Sequence, residues 1–266
     1  MTTAAGFLDR YLEGESWFHR TDARIKLVMA LGFIFATTSI PPGKWTGFAA
    51  MLILVWFAAG VSRVGLPRVF LRSLVAIPFI LIALPTVFTK PGAPLFELDL
   101  ALFALTGTRE GLDFFFSVLL KSWASVTAAV VLTATTPPLK LLEALRALRI
   151  PAVLVAIVML MYRYLFVLVE EAQSMMRARA ARSAAIGPKA GGSIVWRAKS
   201  AGGMAGSLFI RTLDRSERIY MAMVARGYDG TIRQADAIPL RRGAMVTLAL
   251  LLCLFASVAV AARMVL

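Results

Sequence analysis

Apolar residues come in long blocks along this chain of 266 residues, parted by short polar segments. The blocks at 25–40, 45–62, 70–88, 111–135 and 241–264 approach or exceed the roughly 20 residues that a helix needs to cross a hydrocarbon core. Five transmembrane helices are therefore expected. The first block is short and stops at Pro41-Pro42. The third holds Pro78 and Pro85, whose missing N–H groups predict a kinked helix. Between the third and fourth blocks, PLFELDLALFALTGT alternates loosely between apolar and polar positions, as a small β-hairpin does.

The pattern changes after Pro137-Pro138. Leu139, Leu142, Leu145 and Leu148 recur at spacing three, with Lys140, Glu143 and Arg146 opposite them. That is the pattern of an amphipathic helix lying at an interface. A second helix is expected from about 151 to 185, stopped by Gly187-Pro188, then a glycine-rich connector, KAGGSIVWRAKSAGGMAG. A third helix is expected over roughly 207–226, with Gly227 as its C-cap residue. The chain thus divides into an N-terminal transmembrane region (1–136), a cytoplasmic helical region (137–235) and a C-terminal transmembrane helix (236–266).

Composition and charge fix the class and the orientation. Apolar residues make up 59% of the chain, against about half in soluble domains, and mean hydropathy is +0.76. An all-α, multi-pass protein of the inner (plasma) membrane is expected. The first 24 residues are polar, so no cleavable signal peptide is expected there. Net charge is +14, and alternate loops are basic. Arg20, Arg24 and Lys26 precede the first block, Arg63, Arg68 and Arg72 follow the second, and Lys140, Arg146 and Arg149 follow the fourth. Lysine- and arginine-rich loops stay in the cytoplasm, which places the N-terminus inside.

That rule also decides the stretch PAVLVAIVMLMYRYLFVLV, residues 151–169, which is apolar enough to cross. A crossing would put residues 170–235 outside, with eleven basic against five acidic residues. Residues 137–169 are therefore read as helices in or dipping into the inner leaflet, and 170–235 as cytoplasmic.

Candidate chemistry is sparse. His19 is the single histidine and Cys253 the single cysteine, the latter inside an apolar block. Metal clusters, disulfides and histidine-based catalysis are not expected, and neither a catalytic set nor a bound cofactor is assigned. GPKAGGS lacks the order of a phosphate-binding loop.

Two tripeptides stand out: Ala181-Arg182-Ser183 and Ala225-Arg226-Gly227. Ala178, Ala181 and Ala185 form a small-residue stripe beside Arg179 and Arg182. Arg211, Arg215 and Arg218 lead to Ala222 and Ala225 in the same way. Small residues let another backbone come close, and an arginine at the edge then reaches a carboxylate or carbonyl. Met175, Met176, Met221 and Met223 add adaptable apolar contacts. Two helical plugs for two similar grooves are one reading. Chance occurrence in an Ala- and Arg-rich chain, with basic helices meeting lipid headgroups, is the other.

Within the blocks, Lys121 is a functional candidate because intramembrane charge is expensive. It could pair with Asp113 or a carbonyl, line a partner interface, or snorkel. Arg163 shares a helix face with Glu170, and these two with Glu171 are read as candidate structural ion partners.

At these residues the sequence resembles the T component of energy-coupling factor (ECF) transporters. The two tripeptides look like that family's Ala-Arg-Gly motifs, with Ser183 in place of Gly in the first. SWFHRTDARIK, residues 16–26, is similar to the family's Ser-x-Leu-His-x-Leu-Asp-Pro-Arg-x-Lys pattern, departing at Phe18, Thr21 and Ala23. TATTPPLKLLEAL, residues 133–145, looks like the stretch that opens its coupling region, and Lys121 lies where members often carry Arg. MYRYLFVLVEEAQSMMRARAARS and ERIYMAMVARGYDG look most like the cobalt-type branch, often called CbiQ.

The resemblance implies a non-enzymatic membrane scaffold. Two ABC-type ATPase subunits would hold ATP and Mg below it, and a substrate-binding S component would sit beside it. Arg182 and Arg226 would each dock in one ATPase, and the cargo would be cobalt or nickel. The alternatives are a T component for vitamin carriers, a membrane-anchored binder of anionic lipid or nucleic acid, and, least favoured, a membrane enzyme. As a T component the chain would meet lipid but no nucleic acid.

Overall fold

The computed structural model describes residues 17–100, 103–148, 150–182, 193–229 and 242–264. Among these residues the regular structure is helical apart from one hairpin, and contacts divide the chain into two compact units: Arg10–Ala144 with Ile238–Leu266, and Leu145–Ala237 with Met1–Asp9.

In the first unit a one-turn helix α1 (Trp17–Arg20) precedes α2 (Ala23–Ser39) and α3 (Trp45–Val61). Asp22 caps α2 by accepting from the Arg24 backbone N–H at 3.0 Å. The third apolar block is not one kinked helix. It divides into α4 (Leu66–Ser73), a 3₁₀ turn (Leu74–Ala76), α5 (Ile77–Leu81) and α6 (Thr86–Thr89). Proline is the cause: Pro78 lies in the first turn of α5 and Pro85 is the N-cap residue of α6, so each opens a new helix instead of bending an old one.

The expected hairpin is present, β1 (Pro94–Leu100) antiparallel to β2 (Phe103–Thr108), with an irregular register between Pro94 and Phe96. Then come α7 (Arg109–Thr135), α8 (Pro138–Ala147) and, closing the first unit, α11 (Arg242–Met264). The second unit is built from α9 (Ala152–Arg182) and α10 (Ile194–Ala225). Among the described residues α7, α9 and α11 are long and apolar enough to cross a membrane, and α3 is a shorter apolar helix.

Small residues set the packing of α2, α3, α7 and α11. Phe48 and Met51 fill the centre, with Ala124, Ala128, Ala259 and Ala262 around them. A Cβ built on Gly47 would stand 2.6 Å from that of Ala262, so α3 and α11 pass almost in backbone contact. Lipid tails are as apolar as leucine, so it is this close approach, and not apolar burial, that holds helices together in a bilayer. A cluster of Trp56, Phe70 and Trp123, with the Trp123 indole N–H donating to Ser73 at 2.9 Å, fastens α4 to α3 and α7.

The start of α7 is pinned. Thr108 accepts from the Gly111 N–H at 3.2 Å and donates to the Lys90 carbonyl at 2.8 Å, while Glu110 accepts from the Ala93 N–H at 2.9 Å. A Cβ on Gly111 would meet the Val87 carbonyl oxygen at 2.5 Å, and that atom is backbone. Gly111→Ala is expected to destabilise the protein by about 1–3 kcal/mol, read as a lower melting midpoint in detergent. An unchanged midpoint would refute this tight contact.

Candidate functional site

Helices α9 and α10 have nearly equal length, 31 and 32 residues, and each ends on one of the two arginine tripeptides. Arg182 is the last residue of α9. Arg226 is the C-cap of α10 and Gly227 follows at φ +81°. There the Tyr228 N–H donates to the Met223 carbonyl and the Gly227 N–H to that of Val224, a Schellman closure. The Gly expected to end this helix does so by its left-handed backbone, and the closure throws the chain off the helix axis directly after Arg226. Ser183 and Ala185 lie outside the described residues.

The N-terminal boundary of α10 corrects the expected one. The helix starts at Ile194, not near 207, so the glycine-rich connector is helical from its sixth residue onward. Ser193 explains the start, since its hydroxyl accepts from the Trp196 N–H at 3.2 Å. Glycines 202, 203 and 206 lie inside the helix, where a Cβ would meet nothing within 4 Å. Their cost, about 1 kcal/mol each, is carried by a long run of helix-forming neighbours.

Two polar contacts join α9 to α10. The Arg211 guanidinium donates to Glu171 at 2.8 Å, and the Arg179 guanidinium lies 5.2 Å from the Trp196 ring centroid. The earlier residue of α9 meets the later residue of α10, so the two helices pass in opposite senses. Arg182 then lies about 16 Å beyond Glu171 along one axis, and Arg226 about 22 Å beyond Arg211 along the other, at 1.5 Å per residue. The two arginines mark opposite ends of the pair.

These contacts sort the arginines. Arg179 and Arg211 are committed to holding the helices together, though the ion pair, with Arg211 63% exposed, contributes at most about 1 kcal/mol. Arg182 and Arg226 are exposed and have no ion-pair partner among the described residues. Ala178, Ala181, Ala222 and Ala225 beside them are exposed as well, so both small-residue faces are open to a partner. Along α10, Phe209, Ile210, Leu213, Tyr220 and Met221 are more than half exposed.

The expectation for Glu171 changes. It pairs across to Arg211 and not with Arg163, which is exposed and has no ion pair among the described residues. Arg163 lies two helical turns before Glu170, beyond contact distance along one helix.

Of the alternatives for Lys121, the carbonyl is the one realised: its ammonium donates to the Thr38 carbonyl at 3.0 Å. Lys121 is far from both ends of its own helix, yet α2 ends beside it. One of the carbonyls orphaned at that end accepts its hydrogen bond, and Arg263 donates to the next, that of Ser39, at 3.1 Å. Lys26 does the same at the C-terminal end of α7. Only 4% exposed, it donates to the Thr135 carbonyl at 3.1 Å and to the Thr136 hydroxyl at 3.3 Å. Lys26 thereby ties SWFHRTDARIK to TATTPP, a link that spacing alone did not assign. The signal available was a cation in one patterned segment and a helix-ending Thr-Thr-Pro-Pro in the other.

Gly227→Val places a β-branched residue at φ +81° and is expected to cost about 1–3 kcal/mol locally. Faster amide exchange confined to 223–228 would register it. Gly227→Asn, which tolerates this backbone, should be milder. Equal exchange in Val and wild type would refute the constraint.

Residues 14–236 match the family model CbiQ, described as cobalt transport protein. The energy-coupling factor transporter transmembrane protein EcfT of Brevibacillus brevis is 30% identical over 236 residues, which are 85% of each chain. The cobalt transport protein CbiQ of Rhodobacter capsulatus is 29% identical over 245 residues, 91% of this chain and 93% of that one. An uncharacterized protein of Methanocaldococcus jannaschii, MJ1571, is 30% identical over 231 residues, 85% and 76% of the two chains.

Proposed function

This chain belongs to the CbiQ family of cobalt transport proteins and is the transmembrane T component of an energy-coupling factor transporter; we propose that it carries ATP-driven motion from two ATPase subunits to a substrate-binding membrane subunit. The observation that carries this reading is the pair of exposed arginines, without ion-pair partners among the described residues, at opposite ends of α9 and α10. Each sits at a helix C-terminus, where the macrodipole favours a cation and the small residues before it admit a close neighbour. Two ends suit a dimer of ATPases, each offering a carboxylate-lined groove.

When ATP draws the ATPases together, the docked ends move with them, and α9 and α10 shift as levers joined by the Arg211–Glu171 and Arg179–Trp196 contacts. That is a rigid-body switch biased by nucleotide held in a partner. ATP and Mg belong to those partners, and this chain performs no catalytic step. The basic stretch 170–235 keeps the arginines and the N-terminus on the cytoplasmic side. Residues 151–169 then lie in the inner leaflet, and the crossings fall to α2, α3, the broken block 66–89, α7 and α11. The cargo is a cobalt or nickel ion.

The test is purification of the tagged chain from its native membrane, followed by mass spectrometry and an ATPase assay. Co-purifying ATPases and a small membrane subunit are expected, and the identity of the latter separates metal ions from vitamins. A chain that emerges alone, or one that binds acidic polymers in their place, would overturn the reading.

A further inference from the structure

Between α2, α3, α7 and α11 of the first unit lies an apolar cavity of about 470 Å³, within the range of roughly 300–1,000 Å³ for sites that take a single small ligand. It has two unlike ends. One is marked by Phe33 and Phe255, whose rings meet edge to face at 5.5 Å. The other is marked by Lys26, Val61, Thr135 and Thr247, which stand at the start of α2, the ends of α3 and α7 and the start of α11. These four termini define one side of the helix bundle. From Lys26 to Phe33 the cavity runs about 10 Å at 1.5 Å per residue, a depth that stays within one leaflet of a hydrocarbon core about 30 Å thick.

The wall offers almost no polar atoms. The Thr135 hydroxyl donates to the Val131 carbonyl at 2.8 Å and the Thr247 hydroxyl to that of Gly243 at 3.1 Å, both within their own helices. Lys26 is the exception. Two of the three donors on its ammonium are used by Thr135 and Thr136, and among the described residues no carboxylate lies within ion-pair distance. Exposed Lys140 stands in the first turn of α8, directly after the Thr135 and Thr136 acceptors of Lys26. An almost fully buried cation at the mouth of an apolar cavity, with a second lysine one helical turn beyond its acceptors, calls for an anion carrying an apolar tail.

From this juxtaposition we infer that the cavity binds one anionic phospholipid, one of its two acyl tails between α2 and α11 and its phosphate at Lys26 and Lys140. The site is independent of the arginine-bearing ends of α9 and α10, and it stands whether or not those dock ATPases.

The experiment is native mass spectrometry of the full chain, delipidated in detergent and titrated with phosphatidylglycerol or phosphatidylcholine of identical tails. One tightly retained phosphatidylglycerol is expected, held at least fivefold more tightly than phosphatidylcholine. Lys140→Gln, an exposed position, should remove most of that preference while leaving phosphatidylcholine binding unchanged. Ala58→Trp, which fills the cavity from α3, should abolish retention of both, with the elution volume on gel filtration unchanged. Equal retention of the two lipids by wild type would overturn the proposal, as would a phosphatidylglycerol adduct that survives Ala58→Trp. A protein partner that leaves the native preparation in Ala58→Trp while the lipid stays would assign the cavity to that partner instead.

Discussion

Arg182→Glu/Arg226→Glu is expected to abolish ATP-driven uptake while the chain still reaches the membrane in normal amount. Both side chains are exposed and make no ion pair among the described residues, so their replacement breaks no ion pair there. In the assembled transporter each would face a carboxylate. Truncating one partner of a buried, hydrogen-bonded charge pair costs about 2–5 kcal/mol, and reversal adds repulsion to that loss. Even the lower figure is roughly thirtyfold in affinity at each end, on the relation of 1.4 kcal/mol per factor of ten.

Either single reversal should release one ATPase and stop transport, because the motion needs both ends. Arg177→Ala should have little effect, and Arg182→Lys should rescue poorly, since a point charge does not replace a planar fork. The readouts are uptake into vesicles and the ATPase recovered with the tagged chain. A double variant that keeps its ATPases and transports normally would remove the arginines from the coupling path.

Much of this architecture was legible because hydropathy and period act over long windows. The blocks at 45–62 and 111–135 and the helix expected over 151–185 match α3, α7 and α9 to within a few residues. What was not legible turned on single residues. Proline in an apolar block predicts a bend, but at Pro78 and Pro85 the neighbouring backbone lets it begin a fresh helix, so one expected span becomes three short helices and a 3₁₀ turn. Glycine was read as a connector, but Ser193 supplied a cap ahead of Gly202, Gly203 and Gly206, and the helix ran through them.

The arginine ends followed from motif and cap chemistry. Which arginines were already committed did not, because Arg211–Glu171 and Arg179–Trp196 are contacts between helices that no spacing encodes. Lys121 makes the same point. Its position in its own block suggested mid-membrane charge, yet what fixes its partner is where a different helix stops.

Lys26 is where the two kinds of information meet, and its replacement has the largest expected effect on stability. Lys26→Ala leaves the Thr135 carbonyl at the end of α7 without its donor and opens a void among buried side chains. Lost charge-assisted bonds and the void together predict a loss of about 2–4 kcal/mol, with fraying at Thr136-Pro137 as the first event. Lys26→Met separates the two contributions. It refills most of the volume, restores no hydrogen bond and removes a buried cation, so it should recover part of the loss and stay below wild type. Thermal melts in detergent and proteolysis across residues 133–140 measure this. A Met variant as stable as wild type would mean that desolvation of the ammonium offsets all that its bonds contribute to the fold. If that variant also loses its preference for phosphatidylglycerol, the lysine serves the anion at the mouth of the cavity and not the end of α7.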